Sequence, residues 1–254
     1  MHKKIRNKLL MVFAACSLST QSMANSIDIY EFTSFINATE LGSASLRDTQ
    51  IGSGLNEFGS AGLTSSFVNN LNANNLGTVS WNVTNTTGAN LSNVWFSGFL
   101  DASIDELTNG FFNEQGSAAG LVIGTGSGDA FADSWEIDEP GFLFGDIYTN
   151  LIDNMLDNSL GFSGFDDVAL ALGFNIGSLL VDETLVATFE ISSVDNGGLY
   201  QFDPNSNDGL YLAGAVKKQT NEVAEPETLA LLGFGLLFMT GWLRNRSSNN
   251  HSEN

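Results

Sequence analysis

Polar and apolar residues alternate along much of the middle of this chain. In TVSWNVTN, Val79, Trp81 and Val83 fall on one side and Ser80, Asn82 and Thr84 on the other, the two-residue period of a half-buried strand. DVALALGF sets Val168, Leu170, Leu172 and Phe174 against small residues, and TLVATFEIS does the same with Leu185, Ala187, Phe189 and Ile191. Further strand candidates cover 27–32, 94–100, 120–124, 130–137, 199–202 and 210–216. Turn chemistry separates them: NTTGAN (85–90), GTGSGD (124–129), DNGG (195–198) and DPNSNDG (203–209). Strands at this spacing predict a mainly β fold, an antiparallel sandwich. One segment departs from the period. GDIYTNLIDNMLDN places Ile147, Leu151, Ile152 and Met155 at helical spacing, which predicts a short helix over 146–156 capping or crossing the sandwich.

The two ends follow other rules. MHKKIRNKLLMVFAACSLSTQSMAN opens with Lys3, Lys4, Arg6 and Lys8, then runs apolar from Leu9 to about Leu18, and reaches Ser22-Met23-Ala24. That order is a signal peptide cleaved after Ala24. Ten apolar residues are too few to span a bilayer core, which takes about 20. VFAAC around Cys16 loosely resembles a lipid-modification box, but the apolar region before it is very short. The other end holds sixteen uncharged residues, Thr228 to Leu243, between Glu225/Glu227 and Arg244/Arg246. As a helix they rise ~24 Å, a marginal span for a ~30 Å core. The arginines place the tail on the cytoplasmic side. The expected organisation is a signal peptide (1–24), a β-sandwich ectodomain (25–216), a flexible tether holding the start of a sorting motif (217–227), a hydrophobic helix (228–243) and a basic cytoplasmic tail (244–254).

Charge and composition narrow the chemistry. The chain of 254 residues has a net charge of −20, yet the stretch 25–222 holds only Arg47, Lys217 and Lys218 against 26 carboxylates. Such a surface repels nucleic acid, whose binding needs phosphate neutralisation. The same stretch has neither Cys nor His, since Cys16, His2 and His251 lie in the ends. A Ser-His-Asp triad and a zinc site both need those side chains, so the expectation is a non-enzymatic protein without a cofactor. Carboxylate-only chemistry survives the exclusion. A glycan hydrolase uses two acids about 5–9.5 Å apart, and the candidates are Asp101, Asp105 and Glu106, or Glu136, Asp138 and Glu139 with Trp135 as a sugar platform. Calcium is the other candidate partner. DPNSNDGLYLAG offers Asp203, Asn205 and Asn207 at alternate positions, with Asp195 near by in sequence, but Asp208 stands where an EF-hand needs glycine and Gly214 where it needs glutamate. The same residues also suit a hairpin turn.

Two resemblances add to this reading. VTNTTGANLSNV (83–94) and GSLLVDETLVATFEIS (177–192) look like pieces of the Ig-like sandwich domains of bacterial surface proteins. EPETLALLGFGLLF followed by RNR resembles the PEP-CTERM sorting signal, with Val223, Glu225, Pro226, Thr228, Leu229, Ala230, Leu231, Leu232 and Gly233 matching its pattern and Arg244 and Arg246 its basic end. Ala224 replaces the pattern's first proline, Glu227 its serine, and eight residues follow Arg246. The resemblance implies processing by an exosortase, a membrane-embedded cysteine transpeptidase of Gram-negative bacteria. It also implies passage through the inner membrane and association with exopolysaccharide and the biofilm matrix. The expected function is that of an exported structural or adhesive protein; a calcium-dependent carbohydrate-binding module and a carboxylate-based glycan hydrolase are the alternatives.

Overall fold

Val79, Trp81 and Val83 stand opposite Phe189, Ala187 and Leu185 in adjacent antiparallel strands, and all six are buried. This pairing is the centre of a sandwich in the computed structural model, which describes residues 27–105, 112–124, 132–141, 144–161 and 164–219. Eleven strands are present among them: Ile27–Asn37 (β1), Leu46–Ile51 (β2), Leu63–Leu71 (β3), Gly77–Asn85 (β4), Leu91–Ile104 (β5), Gln115–Ser117 (β6), Ser134–Asp138 (β7), Ala169–Leu179 (β8), Thr184–Ser192 (β9), Leu199–Asp203 (β10) and Asp208–Gln219 (β11). One α-helix, Ile147–Asp153 (α1), accompanies them. A five-stranded sheet has the order β2-β1-β5-β8-β7 and a six-stranded sheet the order β3-β4-β9-β11-β10-β6. Every pairing between named strands is antiparallel.

Aromatic rings fill the space between the sheets. Phe32, Phe96 and Phe174 of the first sheet meet Trp81 and Phe189 of the second, with ring centroids 5.3–6.5 Å apart, mostly in the edge-to-face geometry that the ring quadrupole favours. Trp81 is wholly buried, as a disulfide-free core requires, whereas Trp95 and Trp135 are only partly covered. A second, smaller apolar cluster lies on the far side of the first sheet. There Ile147, Tyr148 and Leu151 of α1 pack on Phe35, Phe99, Ala169 and Ala171. This explains why β8 is buried on both faces.

The sandwich and the helix agree with the sequence pattern; several bounds do not. Residues 120–124 form no strand, only a bridge between Ile123 and Ala132, because the segment turns at 119–120 and leaves Val122 and Ile123 half-exposed. The helix is shorter than 146–156: Asn154 adopts a left-handed conformation (φ 55°) that ends it, and Met155 is exposed. Lys217, Lys218 and Gln219 belong to β11 rather than to a tether, paired with Val186, Leu185 and Thr184. The signal peptide with its Ala24 cleavage point and the sorting residues Val223 to Arg246 lie outside the described residues.

Candidate functional site

The outer face of the first sheet gathers carboxylates under α1. Glu31 pairs with Asp101, Asp101 with Ala169 and Ala169 with Asp138, so these positions form one row across β1, β5, β8 and β7. The next row is Thr33, Phe99, Ala171 and Glu136. With strands ~4.8 Å apart, four acids share one patch, and the two alanines in its middle make room for the helix.

On β7 the alternation of SWEID points Glu136 and Asp138 to this face, and both are buried, at 1 % and 4 % exposure. Asp146, just ahead of α1, completes a triad in which one oxygen from each residue lies within 4.8 Å of the others. The Asp146 N–H donates to Asp138 Oδ2 (2.7 Å), and Asn150 Nδ2 donates to Glu136 Oε1 and Oε2 (2.9 and 3.1 Å). Gly161 closes the other side of Asp138: a Cβ there would stand 2.1 Å from Oδ1 and push the carboxylate aside. Burial pushes the Glu136 carboxyl up to about 8, against the Asn150 bond and with Asp157 and Asp146 adding to it. Burial also raises Asp138. Like charges this close in a desolvated place are stable only when a proton or a cation neutralises them. Oxygen-only donors of this kind suit a hard divalent cation such as calcium.

The rest of the patch is tied down by hydrogen bonds. Tyr148 donates to Glu31, and Thr33 Oγ1 donates to the same oxygen at 2.5 Å. Burial first, then the Glu31 bond, holds the Tyr148 phenol well above its usual range. Asp101 is pushed up to about 7 by burial and by Asp167 and Glu31.

Among the other buried acids, Glu114 lies between the sheets. Glu114 accepts the Ile104 N–H (2.8 Å) and Gln201 Nε2 (2.5 Å), and burial drives it up to about 8 despite both bonds. Gln201 Nε2 also reaches the Ala102 carbonyl (2.5 Å), while its Oε1 has no partner among the described residues. A separate cavity of about 260 Å³ lies beside β11, lined by Thr188, Leu172, Ala213, Gly214, Ala215 and Glu190 among others.

The structure divides the residues singled out from sequence. Asp203, Asn205 and Asn207 share the β10–β11 turn, where Asp203 is spent on the turn itself: Oδ1 accepts the Asn205 N–H (2.7 Å) and Oδ2 that of Ser206 (3.3 Å). Asp195 lies beyond the opposite end of β10 and accepts the Gly197 N–H. Of the hydrolase candidates, Glu136 and Asp138 converge, Glu139 does not join them in the triad, Asp101 sits two strands away, and Glu106 lies outside the described residues. Asp146, Glu31 and Glu114 were not legible as site residues, since only long-range packing brings them in. Compared with protein-family models, with curated proteins and with solved structures, the chain has no match in any of the three.

Proposed function

We propose that this chain is an exported, non-enzymatic protein of the cell surface or extracellular matrix. In this reading its PEP-CTERM-like tail is read by an exosortase at the inner membrane, and the sandwich serves a structural or adhesive role beside exopolysaccharide. The observation that carries the reading is the order within residues 223–246: acidic Glu-Pro, sixteen uncharged residues, then Arg244 and Arg246. The sandwich supports it in kind, being a β fold without a histidine or cysteine anywhere from 25 to 222. Asp101, Glu136 and Asp138 lie on the sheet face that carries α1, whereas the 260 Å³ cavity is lined mostly by small and apolar groups, with Thr78, Thr188, Glu190 and Asn196 among them. Intact-mass analysis of the protein recovered from its own cells tests the proposal. The mature chain is expected to begin at Asn25 and to have lost Trp242, Arg244 and Arg246. A product that keeps those residues and stays in the inner membrane overturns the sorting.

A second reading, a calcium-dependent carbohydrate-binding module, is favoured by the Glu136–Asp138–Asp146 triad. Calcium is then expected to give heat in calorimetry and to raise the melting temperature, its binding adding about 2.7 kcal/mol of stability at a hundred times Kd. Asp138→Asn is expected to abolish both signals. Absence of heat and of any shift in the unmodified chain removes this reading.

A further inference from the structure

The four terminal strands of the two sheets are treated differently. β2 is covered by residues 55–57, through Thr49 N–H to Leu55 O (3.1 Å) and Glu57 N–H to Arg47 O (2.8 Å). β7 is covered by residues 158–161, through Asn158 N–H to Trp135 O (2.9 Å), Ile137 N–H to Ser159 O (3.1 Å) and Gly161 N–H to Ile137 O (2.9 Å). β6 is only three residues long. β3 has nine residues, an unbroken register with β4, and no second partner strand among the described residues. An unbroken edge this long, with neither proline nor lysine, is a template for another strand.

We propose that β3 is a strand-addition site for a second copy of this chain, pairing antiparallel with its own image across a two-fold axis at Phe67. The inference is independent of how the chain is sorted. Hydrogen bonding gives the direction of the free groups. The Leu63 N–H goes to Phe58 O (3.0 Å) and the Leu71 N–H to Asn69 Oδ1 (2.9 Å), both off the ladder with β4. By the alternation of an antiparallel pair, the N–H and C=O groups of Ser65, Phe67 and Asn69 face outward.

The side chains make the strand self-complementary. Turned on itself about Phe67, LTSSFVNNL sets Leu63 against Leu71, Thr64 against Asn70, Ser65 against Asn69, Ser66 against Val68, and Phe67 against Phe67. Apolar residues meet apolar ones on the core side, polar meet polar, and only Ser66 and Val68 are mixed. A symmetric dimer needs such a match of a patch to itself. Phe67 and Leu71 are only partly buried and already pack on the core, so the pairing covers their remaining surface.

Charge selects the partner. The chain carries a net −20, and two copies repel at most approaches. From Phe58 to Leu100 there is no charged residue at all, which makes β3 and β4 a neutral strip where two copies meet without opposing carboxylates.

The test uses the full chain in detergent micelles, with cysteines introduced on a Cys16→Ser background. Sedimentation is expected to show a dimer. Opposed residues of a hydrogen-bonded pair have Cα atoms about 5.5 Å apart, within disulfide reach. Phe67→Cys is therefore expected to cross-link to itself, and Ser65→Cys to cross-link when mixed with Asn69→Cys but not alone. Ser66 and Val68 are solvent-exposed, so Ser66→Lys with Val68→Lys sets like charges face to face without disturbing the core. That variant is expected to keep its circular dichroism and to dimerise roughly tenfold more weakly or worse. A monomeric chain, a dimer indifferent to the lysines, or self-cross-linking at position 65 matching that of the 65/69 mixture overturns the proposal.

Discussion

Phe189→Ala is expected to destabilise the sandwich by about 3–5 kcal/mol, the range for deleting a buried aromatic side chain. Phe189 is fully buried and touches four other rings, those of Phe32, Trp81, Phe96 and Phe174. Its ring also reaches across to β5 at Gly98, where an added Cβ would lie 2.2 Å from the ring edge. The ring therefore acts as a knob from one sheet seated in a hollow of the other. Removing it leaves a cavity that strands on both sides cannot collapse into without breaking register. Urea unfolding of the variant measures the loss. A cost below about 0.5 kcal/mol, the level of a surface change, would show that the two sheets are held elsewhere.

Stability is expected to fall as the pH rises from about 5 to 8, the reverse of the usual behaviour of paired carboxylates. Glu114 is pushed up to about 8 and Asp101 up to about 7 by burial, whereas in an unfolded chain both lose their protons near ~4. Between those limits the folded state binds more protons than the unfolded one. Each group then contributes stability that is complete below ~4 and is lost through the window, at up to about 1.4 kcal/mol per pH unit. Glu114→Gln keeps an acceptor for the Ile104 N–H and has no charge to acquire, so it is expected to flatten the upper part of the profile. Urea midpoints at pH 5, 6, 7 and 8 decide the matter. A midpoint that climbs with pH in the parent chain is the contrary result.

The interior strands could be read from the sequence because each presents a full apolar face to the other sheet. In β4 and β9 every second side chain enters the aromatic core, and the two-residue period survives intact. β3 escaped that reading for a physical reason. Its apolar residues, Leu63, Phe67 and Leu71, recur every four positions, with Ser65 and Asn69 between them on the same face. An edge strand tolerates those polar residues because it borders solvent. β2, with Arg47 and Asp48, was hidden in the same way, although Asp48 is fully buried beside the segment 55–57. The candidate site was half legible. Glu136 and Asp138 share a face by simple alternation, but nothing local shows that α1 covers that face, or that Asp146 arrives with it. Glu114 gave no signal, since its burial depends on Gln201, 87 residues away.

The two ends of β5 give the molecule a heading. Lys218 reaches the Ser178 carbonyl (3.2 Å), and Ser178 stands opposite Ser92, close to where β5 begins; β11 finishes there, at Gln219. Glu114 and Gln201 gather around Ala102 and Ile104, roughly ten residues or ~33 Å farther along the same strand. Asp101 and Asp138 share that far pole. Lys217 and Lys218, two of the three cations between 25 and 222, thus stand together at one pole of the sandwich. Glu114, Asp101 and Asp138 stand at the other, about four screening lengths of ~8 Å away, out of reach of the lysines' charge in physiological salt.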